Sequence, residues 1–143
     1  MLISSKGRYA LRVMIDLAEH DTGEYIVLMD IANRQEISEK YLEGILASLS
    51  RDGFVSALRG RGGGYKLSRP PQEYTVGSIL KAVDGPLAPV TCLETSENTC
   101  PRADSCRTLP FWAKLDQIMD DYLESVTLAD FLQGGDPVGK QNI

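Results

Sequence analysis

Apolar residues recur at three- and four-residue intervals near the start of the chain. Over about residues 5–20, Tyr9, Val13 and Leu17 share one helical row, with Ala10, Met14 and Ala18 beside it. That spacing predicts an amphipathic helix, which Ser5 can cap. Asp21-Thr22-Gly23 is a turn, and Tyr25-Ile26-Val27-Leu28 is an apolar run too short for a helix and reads as extended. A short helix over about 29–35 turns Ile31 and Ala32 inward. A third helix starts behind Ser38, a good N-cap with Glu39 in the first turn, and Gly53 closes it. Tyr41, Leu42, Ile45, Leu46 and Leu49 form its apolar stripe, while Glu39, Lys40, Glu43, Gly44, Ala47 and Ser48 make a slim face opposite.

The period then shortens to two. Phe54-Val55-Ser56-Ala57-Leu58 alternates like a strand, Arg59-Gly60-Arg61-Gly62-Gly63-Gly64 supplies a turn, and Tyr65-Lys66-Leu67-Ser68 returns as a second strand. Two short helices around Gln35-Glu36-Ile37, followed by a hairpin with arginines at its tip, predict a winged helix-turn-helix. The helical period resumes after Pro70-Pro71, with Thr75 capping a helix over about 76–84 that Gly85-Pro86 stops. Residues 86–110 carry little periodicity, and a connection that long in a small domain is functional or unstructured. Phe111, Trp112, Leu115, Ile118, Met119, Tyr122, Leu123 and Val126 then mark a long amphipathic helix, whose stripe suits pairing with a second copy.

The expected fold is mainly α with a small β-hairpin wing: a winged helix-turn-helix plus a long dimerisation helix. It divides into a DNA-binding unit over 1–85, a loop over 86–110, the long helix and a short terminal helix over 111–132, and a flexible tail over 133–143. A chain of 143 residues allows one core with a small extension.

A net charge of −5 argues against nucleic acid until it is divided along the chain. Residues 1–70 carry net +1 and residues 71–143 carry net −6. Within 51–70, Arg51, Arg59, Arg61, Lys66 and Arg69 face only Asp52. Phosphate contact needs only such a local patch. The expected contacts are Ser38, Lys40, Tyr41 and Glu43 in the major groove, with Glu43 able to accept from cytosine N4. Arg59 and Arg61 are expected at the minor groove or its phosphates.

All three cysteines, Cys92, Cys100 and Cys106, lie in the unpatterned connection, with Pro101 after the second. Thiolates gathered on a polar loop suit a soft metal or an iron–sulfur cluster, and zinc competes. Both want four ligands, and the loop supplies three thiols; the lone His20 ends the first helix. No apolar run is long enough for a bilayer, and no apolar leader opens the chain, so a reducing cytoplasm is expected. Gly62-Gly63-Gly64 lacks the strand-to-helix context and the Lys-Ser/Thr of a phosphate cradle. One histidine and no nucleophile elbow leave no catalytic set, so an enzyme is not expected.

Four segments together resemble the IscR-type iron–sulfur transcription regulators: Ser5-Lys6-Gly7-Arg8-Tyr9-Ala10, Ile37-Ser38 with Tyr41-Leu42-Glu43, Arg59-Gly60-Arg61-Gly62-Gly63-Gly64-Tyr65, and the cysteine loop. The resemblance runs from Met1 to about Phe131. It implies a homodimer on a palindromic double-stranded operator, acting as a repressor in cluster biogenesis or in a redox or nitric-oxide response. It also implies a cluster, 2Fe–2S in most members, on Cys92, Cys100 and Cys106. IscR-like members take a fourth ligand from a histidine three residues after the last cysteine, where this chain has Leu109. Nitric-oxide-sensing members take it from an acidic residue near the partner's N-terminus, where this chain has Arg8. Residues 84–90 also resemble a cluster-free branch of cysteine-metabolism repressors of the CymR kind. An adaptor holding zinc or a cluster without binding DNA is the reading from another class.

Overall fold

The computed structural model describes residues 3–132; the tail expected over 133–143 lies outside them. Six helices and one hairpin follow in the order the periodicity implies. Helix α1 spans Ser5–Glu19, α2 Leu28–Gln35 and α3 Glu39–Arg51. Strands β1 (Val55–Leu58) and β2 (Gly64–Leu67) pair antiparallel, with Val55 opposite Leu67 and Leu58 opposite Gly64. Helices α4 (Val76–Asp84), α5 (Leu109–Ser125) and α6 (Leu128–Leu132) follow, and the long connection holds a single 3₁₀ turn at Thr91–Leu93. Among the described residues, no helix is long and apolar enough to cross a membrane.

The main core lies where the stripes of the first three helices converge. Val13, Met14 and Leu17 of α1 meet Ile31 of α2 and Leu42, Ile45, Leu46 and Leu49 of α3, with Val55 and Leu67 of the hairpin, Ile79 of α4 and Leu128 of α6 closing it. Tyr74 anchors the wing to this core. Its ring is fully buried, its hydroxyl donates to the Phe54 carbonyl (2.7 Å), and it accepts from the Ser68 and Arg69 amides (3.0 Å each). A buried phenol is retained only when its hydroxyl finds such partners.

Ile26 extends the hairpin as an isolated bridge to Tyr65, exchanging two 2.8 Å backbone hydrogen bonds, while Leu28 already belongs to α2. The close approach explains Gly64: its φ is +152°, and a Cβ there would strike the Ile26 carbonyl.

Three local expectations change. Ser4, not Ser5, caps α1, accepting from the Gly7 amide at 2.9 Å. Ser48 is buried rather than on the slim face of α3, because its hydroxyl is taken inward by Lys6 (3.0 Å) and donates to the Gly44 carbonyl (3.3 Å). Helix α5 begins at Leu109, because Pro110 fits a first helical turn, where the missing N–H is not needed.

A smaller core of Val76, Leu80, Leu87 and Val126 joins α4 to the last two helices. The loop is thus not free at its start, since Leu87 and Ala88 are buried. Lys81 of α4 donates to Asp120 (2.6 Å) and Glu124 (3.0 Å) of α5, and the Asp120 hydrogen bond leads in holding its ammonium above the usual lysine range. Even so, no α5 residue is buried, and Phe111 and Ile118 are 63% and 54% exposed.

Candidate nucleic-acid interface and cysteine loop

The turn between α2 and α3 is set by one residue, Glu36, which takes a left-handed conformation (φ 54°) at the end of α2. Ser38 then caps α3, accepting from the Tyr41 amide at 3.1 Å. Beyond the cap, Glu39, Lys40, Glu43, Gly44 and Ala47 are exposed. Small residues at the last two positions let a second surface approach the helix axis. Tyr41 is half-buried, its ring edge-on to Tyr9 of α1 (5.7 Å, 82°). That ring contact ties the start of α3 to α1.

The hairpin stands beside the C-terminal half of α3. An open cleft of about 550 Å³ separates them, lined by Val27 and Leu28, Ala47 and Ser50, and Leu58 and Arg59. Arg59 and Arg61 are exposed at the tip and make no ion pair among the described residues. Two other cations of the basic stretch are spoken for at the hairpin base. Lys66 lies over the Tyr25 ring (4.6 Å), and Arg69 over Tyr74 (4.7 Å) and Phe54 (5.2 Å). The structure thus leaves the tip arginines available to an external anion.

A polar clamp fixes α2 on α1. Asp16 is 1% exposed; Arg34 donates to its carboxylate through Nε (2.9 Å) and Nη2 (2.7 Å), and Gln35 through Nε2 (2.9 Å). Burial alone would raise the Asp16 carboxyl. The hydrogen bonds from Arg34 and Gln35, with the Arg34 and His20 charges, outweigh it and hold the group below the ordinary aspartate range. Arg12 completes the arrangement, donating to the Gln35 side chain (3.0 Å) and backbone carbonyl (3.3 Å) while stacked on Tyr9 (4.9 Å). Periodicity does not reveal this clamp. Its only sequence signal is a carboxylate among the apolar rows of α1, and its partners lie 18 and 19 residues away. His20 is a helix-terminal residue, its Nδ1–H donating to the Asp16 carbonyl at 2.9 Å.

Cys100 is exposed, and Cys92 and Cys106 are half-buried, all as free thiols. Cys92 lies in the 3₁₀ turn, Cys100 just before a turn at Pro101, and Cys106 just before α5. Among the described residues, no three His, Cys, Asp or Glu side chains are gathered closely enough to hold a metal ion. The donor chemistry nevertheless fits a thiolate-bound group, with three accessible sulfurs on one polar connection. Cys106 is suited to be a thiolate: the Thr108 hydroxyl, 3.4 Å from its sulfur, comes first in holding its pKa below the usual range, followed by the Thr108 and Leu109 amides and the Arg102 charge.

Comparison with known proteins gives one consistent result. Residues 3–134 match the Rrf2 family, described as Iron-dependent Transcriptional regulator. The sequence is 36% identical over 136 residues to the HTH-type transcriptional regulator IscR of Serratia proteamaculans, covering 95% of this chain and 82% of that protein. Among solved structures, CymR, the global cysteine regulator of B. subtilis, matches with a TM-score of 0.76 at 32% identity, over 95% of this chain and 99% of that one. The T. potens IscR structure matches at 0.73 and 34% identity, over 100% of this chain and 93% of that one.

Proposed function

The chain belongs to the Rrf2 family of DNA-binding transcriptional regulators, and from that premise we propose that it reads a palindromic operator as a homodimer, under the control of a group held by Cys92, Cys100 and Cys106. The observation that carries the reading is the pairing of a slim exposed α3 face with unpaired arginines at the adjacent hairpin tip. Helix α3 enters the major groove, where Lys40 and Glu43 reach base edges or phosphates, Ser38 lies at the helix start against the backbone, and Tyr41 offers its hydroxyl. Arg59 and Arg61 follow the adjacent minor groove. The exposed α5 stripe, including Phe111 and Ile118, is the surface that a second copy covers. Two α3 helices about one DNA turn apart then read the two half-sites.

Cys92, Cys100 and Cys106 are the residues that would hold an iron–sulfur cluster, of the 2Fe–2S type. When bound, such a group supplies one-electron redox chemistry and cross-links its thiolate ligands. The chain itself contributes a connection buried at Leu87 and Ala88 at one end and joined to α5 at the other, so ordering between those ends is felt by both helices. The regulator acts in the reducing cytoplasm, where thiols and DNA coexist. The position of Leu109 and the likeness to the CymR structure support a second reading, a regulator of sulfur metabolism that carries no cluster.

The wing is tested by Arg59→Ala. Each phosphate contact contributes about one unit to the slope of log K against log salt concentration, so the variant binds more weakly and its slope falls by about one. Unchanged affinity and slope in fluorescence-anisotropy titrations would remove the wing from the interface.

A further inference from the structure

The cysteine loop and the exposed face of α3 belong to different parts of the fold, and one polar track joins them. Asp84 is the last residue of α4, immediately before the loop. Its carboxylate accepts from the Ser4 amide (3.2 Å) and, through its other oxygen, from the Ser4 hydroxyl. The Ser4 hydroxyl in turn caps α1 by accepting from Gly7. Gly7 has no side chain because a Cβ there would collide with the Asp84 carboxylate. Lys6, in the same helical turn, sends its ammonium to the buried Ser48 hydroxyl of α3 (3.0 Å), and Ser48 donates to the Gly44 carbonyl on the exposed side of that helix.

We propose that Asp84, Ser4, Lys6 and Ser48 form a relay by which a change in the cysteine loop repositions α3, making Asp84 and Lys6 positioning residues for DNA recognition. The inference rests on the DNA-binding reading above and adds the route of its regulation. Loop rearrangement acts first on Gly85 and Asp84, the joint between loop and α4. Movement of the Asp84 carboxylate pulls on both Ser4 groups and so on the first turn of α1. That turn carries Lys6, whose grip on Ser48 sets how α3 lies on the core. Hydrogen bonds to charged groups at both ends make the track stiffer than a neutral contact, and packed elements transmit such a shift instead of absorbing it.

The test is a double-mutant cycle on the full chain, using Asp84→Ala, Lys6→Met and their combination. A duplex selected from a random pool by the wild-type protein is the DNA probe, and hydrogen exchange of the α3 amides is the second readout. In metal-free protein each single variant is expected to lower affinity about fivefold, the low end of typical coupling. Asp84→Ala also speeds exchange in α3, and the double variant is no worse than the weaker single. A product of about 25-fold in the double variant, or α3 exchange untouched by Asp84→Ala, would overturn the relay. If Asp84→Ala does not fold, Asp84→Asn, which keeps the volume and loses one acceptor, is read in the same way. In wild-type protein, reconstitution with ferrous iron and sulfide is expected to change α3 exchange, and Lys6→Met to lose that change; an equal change in Lys6→Met would also overturn the relay. If the wild type binds no DNA, the DNA-binding reading fails and exchange alone decides the relay. If it takes up no iron, the cluster reading fails and the metal-free cycle decides.

Discussion

Replacing Cys92, Cys100 and Cys106 together by serine is expected to abolish iron and sulfide uptake while leaving the fold intact. The three thiols are exposed or half-buried and belong to neither core, so serine creates no cavity, and the stability change stays within about 0.5 kcal/mol. What disappears is the donor set. Serine hydroxyls stay protonated at neutral pH and do not replace thiolates around soft iron. Anaerobically purified wild-type protein should be coloured and contain iron and acid-labile sulfide, and the triple variant should be colourless and contain neither. Its DNA affinity should no longer depend on reconstitution. Zinc in place of iron in the wild type would reassign the site, and a metal-free wild type would favour the cluster-free reading.

Asp16→Ala is expected to destabilise the DNA-binding unit strongly. It removes the acceptor of three hydrogen bonds, two of them from a guanidinium, at a site 1% exposed. Breaking a buried pair costs several kcal/mol, but Arg34 can turn to water, so the expected loss is about 2–3 kcal/mol. Urea unfolding at fixed protein concentration measures it. Because the folded Asp16 carboxyl titrates below its unfolded counterpart, its contribution is complete well above the ordinary aspartate pKa and is lost as pH falls through the depressed one. The stability gap between wild type and variant is therefore constant above about pH 5 and narrows below about pH 4. A gap that widened toward acid would contradict the clamp.

The parts of the fold that depend on period were legible in the sequence. The apolar rows of α1, α3 and α4 and the alternation around the arginine-tipped turn place these three helices and the wing within a residue or two. The parts that depend on partners distant in sequence were not. Ser48 reads as a surface position because its spacing puts it beside Ala47, and only the Lys6 ammonium, 42 residues earlier, explains its burial. Leu87 and Ala88 belong to no periodic segment, yet both are buried, Leu87 by α4 and the last helices, which local pattern does not encode. Leu109 and Pro110 read as the end of the unpatterned connection, yet they form the first turn of α5. For the site, residue type and spacing pointed to the α3 face, the wing arginines and the cysteines. The clamp of Asp16, Arg34 and Gln35 and the stacking of Arg12 on Tyr9, which hold α2 against α1, emerge only in three dimensions.

The central claim, that α3 and the wing form the DNA-binding face, is tested most directly by hydroxyl-radical footprinting of the protein with and without a selected duplex. Tyr41 on α3 and Leu58 beside the wing tip, 47% exposed in the free chain, should both lose reactivity when DNA is added. Unchanged reactivity at both positions in a sample shown to be bound would contradict it.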